Sequence, residues 1–206
     1  MSTTIVILGN IGSGKSTMTR KLSDHLKGST AIYEPVDQWR LSGILDLYYK
    51  NQEKLAGMFQ VYTLSSRIAS IFKATAKVGL YVCDSHIVND RRVFKEALKT
   101  LKCIDENEEL IYEETYKYWS EILADRQGEI IFVYIESPPE KCLENIKKRN
   151  RTEEVEIKSS FLELLDEKYK DLYTSLSEEA HKIIKVDGSK EENEVFMDIR
   201  DKIQNL

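Results

Sequence analysis

The stretch GNIGSGKST, from Gly9 to Thr17, is the most informative part of this sequence. It fits the pattern G-x-x-x-x-G-K-[ST], a loop in which glycines let backbone N–H groups turn inward around phosphate oxygens. The apolar run TIVIL precedes the loop and a helical pattern follows it, so the positive end of that helix faces the same anion. We therefore predict a phosphate-binding loop made of Gly9, Asn10, Ile11, Gly12, Ser13, Gly14, Lys15, Ser16 and Thr17.

Two side chains of this loop have a specific role in the prediction. Lys15 reaches the outer phosphates of a nucleotide, and the hydroxyl of Ser16 binds Mg²⁺. Asp84 ends the apolar run LYVCD, and an acidic residue in that position commonly holds the same ion, directly or through water. The alternative is that Asp84 only turns the chain. We favour the metal role because the phosphate-binding loop is present.

The alternation of short apolar runs with longer helical segments predicts an α/β protein with a parallel sheet flanked by helices. Because the chain of 206 residues has 3 prolines and no linker-like segment, we expect a single domain over residues 1–206. The helix after residue 136 is expected to begin with Ser137 as N-cap and Glu140 at N3. Strands are expected at 4–8, 31–33, 80–84, 130–135 and 182–187. Helices are expected at 16–27, 53–77, 93–101, 110–123, 159–177 and 191–203.

Composition excludes several classes of protein. The net charge of -5 and a pI near 5.4 argue against a nucleic-acid-binding protein, because such proteins need a basic face. No run approaches 18 apolar residues, so no membrane span is expected. The 3 cysteines are far apart and odd in number, which predicts buried thiols. The first strand begins near the initiator Met, and we expect a cytoplasmic protein with no leader segment.

The segment YEPVDQW, residues 33–39, indicates what accepts the phosphoryl group. Pro35 stops the second strand and leaves Glu34 at its carboxyl end, the edge of a parallel sheet where ligands bind. A hydroxyl acceptor must lose a proton, so a carboxylate serves it as general base, whereas a phosphate acceptor would be repelled. The alternative is a solvent-exposed Glu34. Gln60 and Arg67 follow on one face of the long predicted helix.

Together, the phosphate-binding loop, Y-E-P-V-x-x-W, F-Q-x-Y-x-x-x-x-R, the strand-ending acid and a late R-x-R-x-E-E resemble the deoxynucleoside kinase family. The resemblance is greatest to its deoxycytidine, deoxyguanosine and deoxyadenosine kinase branches, and it extends from Gly9 to the last strand. It implies a P-loop kinase fold with a five-stranded parallel sheet and a short basic lid. It also implies ATP- and Mg²⁺-dependent phosphorylation of a deoxynucleoside 5′-hydroxyl in nucleotide salvage, by a homodimer formed through the long helices.

The resemblance also implies roles for individual residues. Glu34 corresponds to the general base, Gln60 to the residue that recognises the base edge, and Arg67 with Asp90 to an ion pair that favours deoxycytidine or purine deoxynucleosides over thymidine. Asp187, at the end of the fifth strand, is expected to contact the nucleotide. The remaining correspondences are Trp39, Phe59 and Phe94 with pocket aromatics, Tyr49 and Glu154 with the 3′-hydroxyl pair, and Lys147, Arg149 and Arg151 with the basic lid, the two arginines being catalytic.

One position departs from the family pattern, which has an arginine directly after the strand-ending acid. Ser85 stands there and supplies no positive charge to the reacting oxygens. Another cation is therefore expected to substitute, with Arg91, Arg92 and the lid as candidates, or the chain is a weakly active or silent nucleoside-binding protein. A further alternative is a nucleoside monophosphate kinase resembling thymidylate kinase, against which Glu34 and Ser85 both argue.

Overall fold

The centre of the molecule is a parallel sheet of five strands in the order β2-β3-β1-β4-β5. The structure is a computed structural model, and it describes residues 2–206 apart from the side chains of residues 125 and 127. The sheet confirms the predicted fold class. Its strands are β1 (Thr3–Gly9), β2 (Ser29–Ile32), β3 (Leu80–Asp84), β4 (Glu129–Glu136) and β5 (Lys182–Asp187).

Helices connect the strands and cover both faces of the sheet. In the central strand β1, Ile5 and Ile7 point to one face and Val6 and Leu8 to the other, as the pleat requires. Both faces are buried, which explains the continuous apolar runs. The helices are α1 (Lys15–His25), α2 (Val36–Leu41), α3 (Ile44–Lys50), α4 (Gln52–Ala74), α5 (Ile87–Asn89), α6 (Glu96–Thr100), α7 (Glu106–Gln127), α8 (Pro139–Arg149), α9 (Ser159–Glu178) and α10 (Glu192–Gln204).

The helices form two layers. One layer packs α1 and α10 against the sheet through a cluster that includes Met18, Leu22 and Ile199. The other layer packs α4, α7 and α9 against the opposite face through a larger cluster that includes Leu64, Tyr112 and Leu165. Among the described residues, no helix is long and apolar enough to cross a lipid bilayer.

The register of the strands brings three chain segments together at the carboxyl edge of the sheet. Ile7 of β1 pairs with Asp84 of β3, so the phosphate-binding loop starts next to the end of β3. Ile32 of β2 pairs with Cys83 of β3, so Glu34 follows on the other side of that strand. The fold thus gathers at one edge the loop and the two acidic residues that the sequence singled out.

The segment between β2 and α4 differs from the prediction, which left it without regular structure. It forms the short helices α2 and α3, whose N-caps, Pro35 and Gly43, make no side-chain capping bond. Short helices without a capping side chain leave little signal in a sequence. Tyr49 therefore lies on α3 and precedes the long helix.

Two further predicted boundaries are wrong. The helix predicted at 93–101 begins earlier, as α5 and a π-helical turn (Asp90–Lys95) that continues into α6. The helix predicted at 110–123 begins at Glu106, because Asp105 in the acidic connector is its N-cap and accepts hydrogen bonds from the backbone N–H groups of Asn107 (2.8 Å) and Glu108 (2.9 Å).

The predicted capping of α8 by Ser137 is also wrong. The helix begins at Pro139, its N-cap is Pro138, and no side chain caps it. A residue before proline is pushed out of the helical region, so Pro138 stays extended and shifts the helix start by one residue. The Ser137 hydroxyl is buried without a hydrogen-bond partner in the described part of the chain.

Candidate functional site

A cavity of about 280 Å³ opens at the carboxyl edge of the sheet. Its walls come from the phosphate-binding loop, from α2, α3 and α4, from the π-helical turn and from the segment after α8. Most of the side chains that the sequence singled out line it together. These are Lys15, Ser16, Glu34, Trp39, Tyr49, Phe59, Gln60, Arg67, Asp84, Asp90, Phe94, Arg149, Arg151 and Glu154.

The phosphate-binding loop joins β1 to α1 with two glycines in the left-handed region, Gly12 at φ 82° and Gly14 at φ 92°. A Cβ at Gly12 would clash with the carbonyl oxygen of Cys142 on α8, so the loop needs glycine there. Lys15 Nζ donates to the carbonyl oxygens of Gly9 at 3.0 Å and Asn10 at 2.9 Å. Its ammonium group is thus held over the loop, where it can meet an incoming phosphate.

Neighbouring helices hold the loop in shape. The buried Asn10 side chain donates to the carbonyl oxygen of Leu162 on α9 at 2.8 Å and accepts from the backbone N–H of Ile11 at 2.8 Å. Asn145 on α8 donates to the carbonyl oxygen of Gly12, also at 2.8 Å. Asn10 therefore contributes to the loop by bracing it. Of the other predicted loop residues, Ile11 and Gly12 line the cavity, whereas Gly9, Ser13, Gly14 and Thr17 are not part of its lining.

Ser16 and Asp84 lie next to each other, as the metal prediction requires. The Ser16 hydroxyl donates to Asp84 Oδ2, and Asp84 Oδ1 is buried without a partner among the described atoms. Burial raises the pKa of Asp84, which Lys15 opposes. The two residues fit Mg²⁺, because that ion takes one or two protein oxygens and completes its shell with phosphate and water. No group of three His, Cys, Asp or Glu side chains suited to a metal occurs in the described residues.

Glu34 faces the cavity beside a cation. Arg67 Nη2 donates to Glu34 Oε1 at 2.5 Å. Burial acts to raise the pKa of Glu34, but the charges of Arg67 and then Lys15 outweigh it, so the pKa lies below its usual value. Glu34 is therefore ionised at neutral pH and can accept a proton.

Arg67 on α4 also binds Asp90, on the π-helical turn, through two hydrogen bonds of 2.7 and 3.0 Å. Burial raises the pKa of Asp90 to about 6 despite the opposing charge of Arg67. Arg67 Nη1 and Gln60 Oε1 are buried without hydrogen-bond partners in the described structure. The cavity wall thus contains one unused donor and one unused acceptor, the pair that a base edge requires.

Aromatic rings form the part of the cavity farthest from the phosphate-binding loop. Phe59 on α4 stacks on Tyr48 of α3, with ring centroids 4.0 Å apart and planes inclined by 10°. Trp39 meets Phe59 edge to face and donates from Nε1 to Ser66 Oγ at 2.9 Å. Tyr48 also lines the cavity, and the sequence analysis did not predict this. The one feature of the sequence that indicated it is its position next to Tyr49.

The predicted lid spans the last turn of α8 and the segment after it, and its two arginines converge on one carboxylate. Arg149 Nε lies 2.6 Å from Glu154 Oε2, and Arg151 Nη1 lies 3.2 Å from Glu154 Oε1. Asn150 between them is left-handed, with φ 48°, and lets the chain reverse after the helix. Burial raises the pKa of Tyr49, and the nearby Glu154 carboxylate adds to that shift. Lys147 is exposed on α8.

Two of the cations suggested as substitutes for an arginine at position 85 lie outside the lining of the cavity. Arg91 pairs with Glu113 at 2.8 Å, and Arg92 pairs with Glu179 at 2.8 Å, so both line a separate groove. Ser85 is buried at φ 76° and donates to Asn89 Oδ1 at 2.9 Å. The arginines that line the cavity are Arg67, Arg149 and Arg151.

Asp187 lies outside the lining of this cavity, at the exposed end of β5. Its Oδ1 accepts hydrogen bonds from the backbone N–H and the hydroxyl of Ser189, at 2.9 and 2.6 Å. These bonds shape the turn before α10. Contact of Asp187 with a nucleotide therefore stays a prediction.

The proteins that are similar to this chain in sequence or in structure are deoxynucleoside kinases. A model of the deoxynucleoside kinase family matches residues 5–206. A probable deoxycytidine kinase of Fowlpox virus is 32% identical over 180 residues, which cover 87% of this chain and 75% of that protein. Deoxycytidine kinase 2 of Gallus gallus is 30% identical over 192 residues, covering 80% and 71%. A solved structure of deoxyadenosine kinase from M. mycoides with bound dCTP is 22% identical, has a TM-score of 0.82 and covers 98% of this chain and 100% of that chain, which supports the fold.

Proposed function

The chain belongs to the deoxynucleoside kinase family, whose members are phosphotransferases, and we propose that it transfers the γ-phosphoryl group of ATP to the 5′-hydroxyl of a deoxynucleoside in the presence of Mg²⁺. One observation carries this proposal. A single cavity holds Lys15 of the phosphate-binding loop and a carboxylate, Glu34, that is ionised and suited to accept a proton.

The proposed mechanism assigns a step to each side of the cavity. Glu34 takes the proton of the 5′-hydroxyl as its oxygen attacks the γ-phosphorus in line with the leaving oxygen. Lys15, Arg149 and Arg151 neutralise the charge that spreads over the transferring group. Ser16 and Asp84 would hold Mg²⁺, which would supply positive charge beside the phosphates of the bound nucleotide. The lid arginines and Arg67 provide the positive charge that Ser85 does not.

The base is proposed to lie against Gln60, Arg67 and Asp90. Cytosine and the purines offer a ring nitrogen or carbonyl acceptor beside an amino or N–H donor, and the unused Arg67 Nη1 and Gln60 Oε1 match such an edge. Phe59, Phe94 and Trp39 enclose the rings. Because thymine offers such an edge too, we propose the preference for deoxycytidine or a purine deoxynucleoside over thymidine from the Arg67–Asp90 ion pair, which resembles that of the cytosine and purine kinases.

The sugar is proposed to lie between the aromatic wall and the lid. Tyr49 and Glu154 both line the cavity, and burial keeps the Tyr49 hydroxyl protonated. A protonated phenol and a carboxylate offer a donor and an acceptor to the 3′-hydroxyl. In this proposal the 3′-hydroxyl binds to the same carboxylate that holds Arg149 and Arg151.

The test is phosphoryl transfer from ATP-Mg²⁺ to the four deoxynucleosides and their monophosphates, with Glu34→Gln measured in parallel. Phosphorylation of nucleosides that Glu34→Gln abolishes supports the proposal, and the panel identifies the substrate. Reaction of monophosphates alone supports a nucleoside monophosphate kinase instead. Calorimetric binding of nucleosides without turnover supports a silent binding protein, the alternative that Ser85 suggests.

We also propose a homodimer formed through α4 and α7. Their outer surface carries large apolar side chains, with Met58 63%, Leu110 62%, Ile111 60% and Tyr118 62% exposed. Exposed apolar patches of this kind mark interfaces. Light scattering after size exclusion tests the proposal, and Ile111→Asp should give a monomer.

Two predictions about the surroundings of the enzyme stay open to experiment. A cytoplasmic location is proposed from family analogy and from the buried thiols Cys83, Cys103 and Cys142. Cell fractionation tests it. We also expect no binding to nucleic acid, which a gel-shift assay at low salt tests.

A further inference from the structure

An ion pair outside the cavity joins the lid to the opposite wall. Arg40 Nε lies 3.1 and 3.2 Å from the two carboxylate oxygens of Glu153, although the residues are 113 positions apart in the chain. Arg40 is on α2 and Glu153 is in a 3₁₀ turn (Thr152–Glu154) after α8. The Glu153 side chain is 15% exposed and that of Arg40 is 35% exposed, so the pair is partly shielded from solvent.

Each member of the pair is the chain neighbour of a residue that lines the cavity. Trp39 points into the cavity and the next residue, Arg40, points to the lid. Glu154 holds the lid arginines from inside, and the preceding residue, Glu153, is held by Arg40 from outside. A displacement of Glu153 therefore moves the turn that carries Glu154, and with it the guanidinium groups of Arg149 and Arg151.

The electrostatic state of the pair agrees with this geometry. The hydrogen bond to Glu153 raises the pKa of Arg40. A hydrogen bond from its own backbone N–H and then one from Arg40 lower the pKa of Glu153. Both side chains are charged at neutral pH, and Arg40 Nη1 has only a longer second contact, to Asp37 at 3.5 Å.

We propose that Arg40 and Glu153 are positioning residues that fix the basic lid to α2, so that Arg149 and Arg151 stand over the transferring phosphoryl group. The inference rests on the proposed function. The pair touches neither the donor nor the acceptor, but the turn that it holds carries Glu154. Its loss therefore slows the transfer step, weakens nucleoside binding through Glu154 and leaves ATP binding intact.

The experiment compares Arg40→Gln, Glu153→Gln and the charge exchange Arg40→Glu with Glu153→Arg. Lys50→Gln is the matched control. It breaks an ion pair with Asp46 (2.8 Å) within the neighbouring helix α3, and this pair does not reach the lid. We expect each single variant to lower kcat about two- to five-fold, the size typical of a partly exposed pair, with KM for ATP changed less than two-fold and any rise in KM confined to the nucleoside. The charge exchange should recover most of kcat.

A second readout does not depend on catalysis. Trypsin cleaves after Arg149 and Arg151, and we expect both single variants, but not Lys50→Gln, to be cut faster at the lid while their melting temperature stays at that of the parent protein. Parental kcat and parental cleavage rates in the single variants would overturn the proposal, as would a charge exchange no better than either single variant. A parent protein without kinase activity contradicts the proposed function instead, and the cleavage experiment still decides whether the pair fixes the lid.

Discussion

Arg67 and Glu34 form an ion pair of 2.5 Å between the long helix α4 and the loop after β2. The pair connects base recognition to proton transfer, because the same guanidinium holds Asp90 at 2.7 Å. Arg67 is thus shared by an acid assigned to the reaction and an acid assigned to the nucleobase. The first two predictions test the two halves of this arrangement.

Replacing Glu34 by Gln should remove the general base and leave the cavity intact. We expect kcat to fall about 10²- to 10⁴-fold, the range for loss of a positioned base, with nucleoside binding changed only a few-fold because Gln has the same shape. Steady-state kinetics and calorimetry on one preparation measure both quantities. A variant that retains a tenth or more of the parental kcat would contradict the assignment.

The pH dependence of activity should report Asp90. The pKa of Glu34 is lowered, so Glu34 stays ionised as the pH falls, whereas the pKa of Asp90 is about 6. Below that pH Asp90 takes up a proton and Arg67 loses one of its two anionic partners, so kcat/KM for the nucleoside should decline on acidification. Profiles between pH 5 and 8 at saturating donor and Mg²⁺ measure it.

The control for this profile is Asp90→Asn, which has no group to titrate at that position. Its activity should be lower throughout and independent of pH across the same interval. An acidic decline of the parental shape in Asp90→Asn would assign the titration to another group.

The metal assignment predicts a change in Mg²⁺ requirement. Asp84→Asn keeps the hydrogen bond from Ser16 and removes the charge, so we expect half-maximal activity to need about ten times more free Mg²⁺. Chelation of Mg²⁺ should abolish activity of the parent protein without unfolding it, because the helix layers pack on the sheet through apolar clusters. Asp46→Asn, on the surface of α3, serves as control. An unchanged Mg²⁺ titration in Asp84→Asn would remove Asp84 from the metal site.

Two glycines of the phosphate-binding loop should differ in their tolerance of a methyl group. Gly12→Ala introduces a clash with Cys142 on α8 as well as strain at φ 82°, so we expect it to lower the free energy of unfolding by about 2–4 kcal/mol. Gly14→Ala meets nothing within 4 Å in the described structure and should cost about 1–2 kcal/mol from strain alone. Urea denaturation of both variants measures the difference, and equal costs would show that the contact with α8 is not tight.

Sequence analysis predicted the residues of the candidate site better than it predicted the helices and turns around them. Lys15, Ser16, Glu34 and Asp84 follow or belong to buried strands, and the ends of parallel strands meet at one edge whatever the loops do. The π-helical turn was not predicted. On it, Asp90 lines the cavity, whereas the next residue, Arg91, suggested as a substitute cation, lines the separate groove.

Contacts between distant segments escaped prediction for a different reason. Arg40 and Glu153 have no local pattern that relates them, and α2 itself is too short and too weakly capped to be seen in the sequence. Glu153 was part of the motif R-x-R-x-E-E, but the sequence analysis assigned a function, binding of the 3′-hydroxyl, only to its neighbour Glu154. Side chains that hold one segment against another become visible only when the chain is folded.

The strand order places the phosphate-binding loop and Glu34 after different strands of the sheet. β1, which leads into the phosphate-binding loop, lies in the middle between β3 and β4, whereas β2, which leads to Glu34 and the nucleoside wall, lies at the margin with β3 as its single neighbour. Changes at the margin disturb few strand pairs, while changes in the middle disturb the whole sheet. If the nucleoside binds at the margin as we propose, its identity can change there while the phosphate-binding loop stays unaltered.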